Sequence, residues 1–309
     1  MRKTFVRKMI ELVERDPETI LMTGDLGFGV FEEFAERFPQ NFINAGIAEQ
    51  NMTGVAAGLA MEGHHVFVYS IGNFPTLRSL EQWRNDICYH NLPVTAVING
   101  GGMAYGYLGM SHHATEDLSI LRTLPEMAVT APADPIELER CFDFLYQRSA
   151  PGYLRLCRGG ERNIHPDGLE PFTSAQLYPL HHDQNADTAV IMCGEITSTF
   201  DKIAAELKNR NIAADIYSSP FVKPLPDLST LAGSRYTLLV TVEENSCIGG
   251  FGGGVAEYLS AMPSHPALLR IGIPDRYCQV AGNHDFLREQ CGLSAAKIAE
   301  QIKIKRETL

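Results

Sequence analysis

The sequence predicts an α/β fold built as two doubly wound domains. Three observations carry that expectation. Strand-like apolar runs alternate with helical patterns along most of the chain, as in a mostly parallel sheet covered on both faces. The length of 309 residues exceeds the roughly 100–200 residues of one domain. Residues 158–187, rich in Gly and Pro, interrupt the alternation and read as a linker or surface crossover.

The elements follow in order. A helical pattern at 4–15 leads to a short buried strand at 19–23 (TILMT) and a second strand at 42–45. Residues 50–62 form a helix in which Gly54, Ala57, Gly58 and Ala60 permit close packing. Strands at 66–69, 94–99, 127–131 and 152–156 alternate with helices at 77–90, 118–124 and 135–147. His64 and His65 fall in a helix-to-strand turn. Beyond the interruption come strands at 188–193, 213–217, 236–242 and 267–271, with helices at 197–210, 253–262 and 294–305. The expected domains are 1–165 and 187–309, joined by 166–186.

Composition narrows the function. With 26 Lys and Arg against 37 Asp and Glu, the net charge is −11, which argues against nucleic acid or an anionic membrane as the main partner. The N-terminal residues carry no apolar signal-peptide core, and no run reaches the length of a spanning helix. The seven cysteines are scattered without a C-x-x-C pair. They read as free thiols of a reducing compartment, so a cytoplasmic location is expected.

Two glycine clusters test the dinucleotide fingerprint and fail it. In GGFGGG (249–254) Val255 stands where the third glycine belongs, and in GDLGFG (24–29) Glu32 does. Each reads as a tight strand-to-helix turn, with an anion at the 249–254 turn as the alternative. Glu49 is more informative, because it enters a helix of small and apolar residues. A carboxylate there needs a partner or the favourable end of a helix dipole.

The segment NAGIAEQNMTGVAAGLAMEG (44–63) resembles the glutamate motif of the pyrimidine-binding domain of transketolase and deoxyxylulose-phosphate synthase, both thiamine diphosphate enzymes. The resemblance continues in order through TGDLG (23–27), VYSIGNF (68–74), LPVTAVINGGG (92–102) and LGMSHHATEDLSILRTLPEMAVTAPAD (108–134). It resumes at YLRLCRGG (153–160), VEENSCIGGFGGGVAE (242–257) and IGIPDRY (271–277). It implies a pyrimidine-binding domain followed by a transketolase C-terminal domain.

The resemblance also implies roles. Glu49 would hydrogen-bond a ring nitrogen of the aminopyrimidine, promoting the tautomer that deprotonates the thiazolium carbon. Phe74, with Tyr69, would stack on that ring, and Asp25 would lie near the cofactor at a subunit interface. His112 matches a substrate-facing histidine suited to proton transfer, with His113 beside it. Arg158 matches an arginine that holds the substrate's anionic group, with Arg155 as the alternate.

Two departures stand out. Asn99 is followed by Gly100, Gly101 and Gly102 where the family carries a polar or charged residue, which predicts a more open pocket. The family's diphosphate-binding half, with its G-D-G motif, is absent. A separate N-terminal subunit is therefore expected to supply the diphosphate and Mg²⁺ site, most simply as α2β2. The function implied is two-carbon ketol transfer between a ketose and an aldose, with anionic sugars as substrates. Two alternatives stay open: a synthase-like or 2-oxo-acid dehydrogenase β-like subunit, and a non-catalytic partner subunit.

Overall fold

The computed structural model describes residues 1–159, 162–233 and 235–309. Gly160, which closes the YLRLCRGG motif, lies outside the described residues. The strands are β1 (Thr19–Thr23), β2 (Phe42–Asn44), β3 (His65–Ile71), β4 (Val94–Asn99), β5 (Ala128–Thr130) and β6 (Gly152–Leu156) in the first half. Then follow β7 (Tyr178–His181), β8 (Thr188–Cys193), β9 (Ala214–Ser218), β10 (Phe221–Lys223), β11 (Leu238–Ser246) and β12 (Ala267–Ile273). Among the described residues they build two sheets, ordered β10-β5-β6-β4-β3-β1-β2 and β12-β11-β8-β9-β7. Neighbours run parallel except β10 on β5 and β7 on β9. The α/β, doubly wound expectation holds in both halves.

The unbroken apolar runs have a simple cause. β1, β4, β6 and β8 are buried at every residue, because helices cover both faces and neither face needs polar side chains. Helices Arg2–Arg15 and Pro135–Arg148 cover one face of the first sheet with Phe5, Met9, Leu138 and Phe142. The second of these starts cleanly, with Asp134 accepting from the Glu137 N–H at 2.7 Å and proline at the first helical position. Helix Glu49–Met61 covers the other face with Met52, Ala56 and Ala60.

Several elements depart from expectation. The helix expected at 77–90 begins at Asn73 and runs as Asn73–Thr76, Leu80–Gln82 and a wider π turn, Trp83–Cys88. The Trp83 indole N–H reaches back to the Pro75 carbonyl at 2.6 Å, which pins the start of this stretch near the C-terminal end of β3. Residues 166–186 contain β7, an edge strand that tolerates Pro179. β10 leaves the second half and adds an antiparallel edge to the first sheet.

Buried charges join the halves. Arg155, at 5% exposure, pairs through Nε with Asp117 Oδ2 at 3.0 Å. Its Nη2 donates to the Ala114 carbonyl at 2.6 Å and to the Glu244 carbonyl at 3.1 Å. The Tyr153 hydroxyl also donates to Asp117. Glu244 in turn accepts from the Met103 N–H, His284 Nε2 and Arg288 Nε, each at 2.6 Å. Removing one partner of such a pair strands the other charge in low dielectric. Asp117→Asn is therefore expected to lower the unfolding free energy by about 3–5 kcal/mol, read by urea denaturation. Arg7→Ala, which breaks exposed pairs with Glu11 and Glu139, should cost no more than about 1 kcal/mol.

Candidate active site

The parallel strands of the first sheet end on one edge, where α/β folds place their ligands. Asp25 follows β1, Glu49 follows β2, Phe74 follows β3, the Gly100–Gly102 loop follows β4 and Arg158 follows β6.

Glu49 opens its helix and is 2% exposed. The helix N-terminus favours its charge. Its Oε2 accepts from Arg78 Nη1 at 2.7 Å, and the Arg78 side chain is 48% exposed. The Arg78 guanidinium lies 4.8 Å from the Phe74 ring centre. Phe74 meets the His112 ring edge-on at 5.3 Å, and His112 faces Tyr105 at 6.4 Å. Arg158, exposed, lies 5.2 Å over the Tyr105 ring. A continuous row thus runs from a buried carboxylate, through an aromatic ring and a half-buried imidazole, to an exposed guanidinium. Ser111 Oγ lies 3.0 Å from His112 Nδ1, so Nε2 is the ring nitrogen not engaged by that contact.

Asp25 adopts φ +57°. Its Oδ1 accepts from Asn44 Nδ2 at 3.2 Å, and its N–H donates to Asn44 Oδ1 at 3.0 Å. This exchange ties the β1 and β2 ends together.

Three sequence expectations need correction. Tyr69 cannot stack on a bound ring. Side chains alternate along β3, and Tyr69 falls on the face of Phe67, where it stacks on Phe5 at 5.9 Å and meets Phe31 at 4.7 Å. Arg155 is buried and paired with Asp117, which leaves Arg158, exposed on Tyr105, as the arginine of the row. The glycine loop is also not open. A Cβ at Gly100 would lie 2.1 Å from the Tyr105 ring, one at Gly101 2.3 Å from Arg155 Nε, and one at Gly102 2.2 Å from Glu244 Oε1. These glycines admit three side chains that arrive from elsewhere.

Among the described residues, His113 shows no contact with the rings of the row and lines a different cavity. It is buried, and its Nε2 has no hydrogen-bond partner among the described residues. Burial lowers its pKa and favours the neutral ring. It lines a cavity of about 250 Å³ against Met103, Arg276 and Tyr277, between the two halves.

The 249–254 turn holds an internal carboxyl group. Glu243 accepts from the Phe251 and Gly252 N–H groups at 2.8 Å each, at the start of helix Phe251–Ser260. A Cβ at Gly250 would lie 2.2 Å from Glu243 Oε2. The cradle that a phosphate would use is filled by the chain's own carboxylate.

The donor set fits one part of the cofactor that the resemblance implies. A buried carboxylate beside a half-buried aromatic ring suits an aminopyrimidine. No comparable set for a diphosphate and Mg²⁺ accompanies it among the described residues. There, Glu195, Glu244 and His284 form the one cluster with metal-ligand spacing. Arg288 occupies it, with Nη2 3.0 Å from Glu195 and Nε 2.6 Å from Glu244.

Comparison with known proteins identifies both domains. Residues 1–162 match the transketolase pyrimidine-binding domain and residues 179–298 the transketolase C-terminal domain. The chain belongs to the transketolase family and carries those two domains. It is 34% identical to the putative transketolase C-terminal section of Methanocaldococcus jannaschii, over 99% of this chain and 97% of that protein. It is 32% identical to one subunit of the apulose-4-phosphate transketolase of Phocaeicola vulgatus, over 92% and 91%. The 1-deoxy-D-xylulose-5-phosphate synthase of Aquifex aeolicus is 33% identical over 97% of this chain, which spans only 47% of that longer protein. A solved split-gene transketolase, described as an inactive β4 tetramer, superposes with TM-score 0.84 at 31% identity, covering 98% and 96% of the two chains. These relatives place the chain with the C-terminal or β subunits of split transketolases, and the family implies thiamine diphosphate. Among the described residues no helix is long and apolar enough to cross a membrane.

The buried glutamates predict a pH dependence. Burial pushes Glu243 up to about 7, from 4.5 for a free glutamate. The folded chain keeps that proton where the unfolded chain has lost it, so this contribution to stability falls as pH rises from about 4.5 to about 7. Glu244 is shifted the other way, downward, chiefly by the Arg288 and His284 charges that overcome its burial. Its contribution is present above about 4.5 and is lost at lower pH. Glu243→Gln should remove only the fall between pH 4.5 and 7, read as the difference between wild-type and variant denaturation curves.

Proposed function

We propose that this chain is the pyrimidine-binding and C-terminal subunit of a split, thiamine diphosphate-dependent transketolase that moves a two-carbon ketol unit between sugars. The row Glu49–Phe74–His112–Arg158 carries the proposal, because it sets an acid–base carboxylate, a stacking ring, a titratable imidazole and an anion-binding cation along one edge. When bound, thiamine diphosphate supplies the electron sink for breaking a carbon–carbon bond beside a carbonyl. Glu49 would hold the aminopyrimidine by hydrogen bond, with its charge kept in place by Arg78 and the helix N-terminus. Phe74 would stack on the ring, and Asp25 would border the pocket near the interface. His112 would exchange protons with the substrate's hydroxyl and carbonyl oxygens through Nε2. Arg158 would receive a phosphate or similar anionic group at the far end.

The chain would not act alone. The described residues offer half of a cofactor site, and the diphosphate with its Mg²⁺ would be held by an N-terminal subunit, most simply in an α2β2 assembly. The description of the solved split-gene β4 tetramer as inactive supports that reading. The synthase-like alternative differs in product: pyruvate would be decarboxylated and condensed instead of a ketol unit being moved.

Calorimetry with thiamine diphosphate and Mg²⁺ is expected to show binding to the chain only together with its diphosphate-binding subunit. Tight binding by the chain alone would overturn the split-site proposal. In the assembled complex, Glu49→Gln should reduce turnover of a ketose donor by about 10²–10⁴-fold. Full activity of that variant would favour a non-catalytic role for this subunit.

A further inference from the structure

Tyr105 sits between the two residues expected to handle substrate, His112 and Arg158, on the loop that follows the three glycines. Its hydroxyl accepts from Asn99 Nδ2 at 2.5 Å, so the hydroxyl proton is free to point elsewhere. Its ring occupies the space a side chain at Gly100 would take, with the ring carbon Cε2 2.1 Å from the site of that missing Cβ. Gly100 itself has φ +80°, a left-handed conformation that excludes most side chains. The ring is thus fixed from below by backbone and at its tip by Asn99, which is buried at 2% exposure. The Arg158 guanidinium rests on it at 5.2 Å, and no ion pair within 4 Å of a carboxylate is formed by Arg158 among the described residues. An exposed arginine at a strand end has many rotamers, and a cation over a fixed aromatic ring loses most of them.

We propose that Tyr105 is a positioning residue for substrate. Its ring holds Arg158 in the orientation that receives the anionic end of a sugar, at a set distance from His112. This rests on the transketolase reading of the preceding section and adds to it the residue that sets anion preference. The Gly100 position and Tyr105 act as one device. Without a side chain at 100, the ring returns from five residues further on and supplies an aromatic platform where the chain itself has none.

The test uses the assembled complex loaded with thiamine diphosphate and Mg²⁺, turning over hydroxypyruvate with glycolaldehyde, an uncharged acceptor. Inorganic phosphate is the probe of the anion site, measured as a competitive inhibitor. Tyr105→Leu is expected to raise the phosphate inhibition constant about three- to tenfold, with kcat for the uncharged acceptor within about twofold of wild type. Tyr105→Phe keeps the ring and should restore the wild-type constant. On an Arg158→Met background, Tyr105→Leu should add less than about twofold, because the two residues act through one contact. An unchanged phosphate constant in Tyr105→Leu, or an equal loss with the uncharged acceptor, would overturn the proposal. So would a full additional effect on the Arg158→Met background. An unaltered constant in Arg158→Met alone also overturns it, while an accompanying loss of turnover in Glu49→Gln leaves the enzyme assignment standing. Should the wild-type complex not turn over hydroxypyruvate at all, the transketolase reading fails separately. The Tyr105–Arg158 contact is then decided by the ring-current shift of the Arg158 ¹⁵Nε–H resonance. That shift must vanish in Tyr105→Leu and persist in Tyr105→Phe if the ring holds the guanidinium.

Discussion

The guanidinium of Arg155 is the constraint on which the rest of the structure depends. It is buried at the end of β6 and reaches three parts of the molecule at once: Asp117 on helix Asp117–Arg122, the Ala114 carbonyl of the site loop, and the Glu244 carbonyl of β11. A charge taken out of water at this position is stable only because every one of these partners is present. Through them, the two sheets and the loop carrying His112 are held in one register. Gly101 has no side chain because Arg155 occupies that space.

Glu244 repeats the arrangement from the other half. It takes the Met103 N–H of the site loop and binds His284 and Arg288 of helix His284–Gln290. The C-terminal domain therefore contributes no residue to the row, yet it fixes the loop that carries part of it. Glu243, one residue earlier, turns the other way and caps helix Phe251–Ser260 from within. Adjacent glutamates on one strand point to opposite faces, and here each face gives its carboxylate a different partner and an opposite pKa shift.

The candidate site follows the same economy. Strand ends supply backbone positions, and side chains from distant segments fill the gaps left by glycine. Arg78 reaches Glu49 across 29 residues, and Tyr105 folds back over Gly100. The result is the row Glu49–Phe74–His112–Arg158 along one sheet edge, which the split-enzyme reading takes as one wall of a cofactor and substrate site. The complementary wall belongs, in the split-enzyme reading, to a second polypeptide.

Much is legible in the sequence. The buried parallel strands announce themselves as unbroken apolar runs, and β1, β4, β6 and β8 have the predicted bounds, because a strand covered on both faces has no freedom to carry polar residues. Helix His284–Gln290 goes unpredicted, although its Asn283 cap, which accepts from the Phe286 N–H at 2.8 Å, is a local signal. Alternation along β3 also contains the parity that sends Tyr69 into the core. Motif order identifies the family and brings Glu49, Phe74 and His112 forward together. Other features are decided only by tertiary structure. The sequence sets Arg155 inside a strand and Arg158 beyond its end, but only burial against Asp117 shows that the first is a structural ion, while the second stays exposed on Tyr105. Nothing local says whether three glycines open a pocket or admit a tyrosine, an arginine and a glutamate from elsewhere. β10 pairs with the first sheet although it follows β9 of the second. The sequence determines which segments are apolar and where the backbone can turn, since those are properties of neighbouring residues. Which charge is paired and which space is filled depend on groups tens to more than a hundred residues apart, and only the folded chain brings those together.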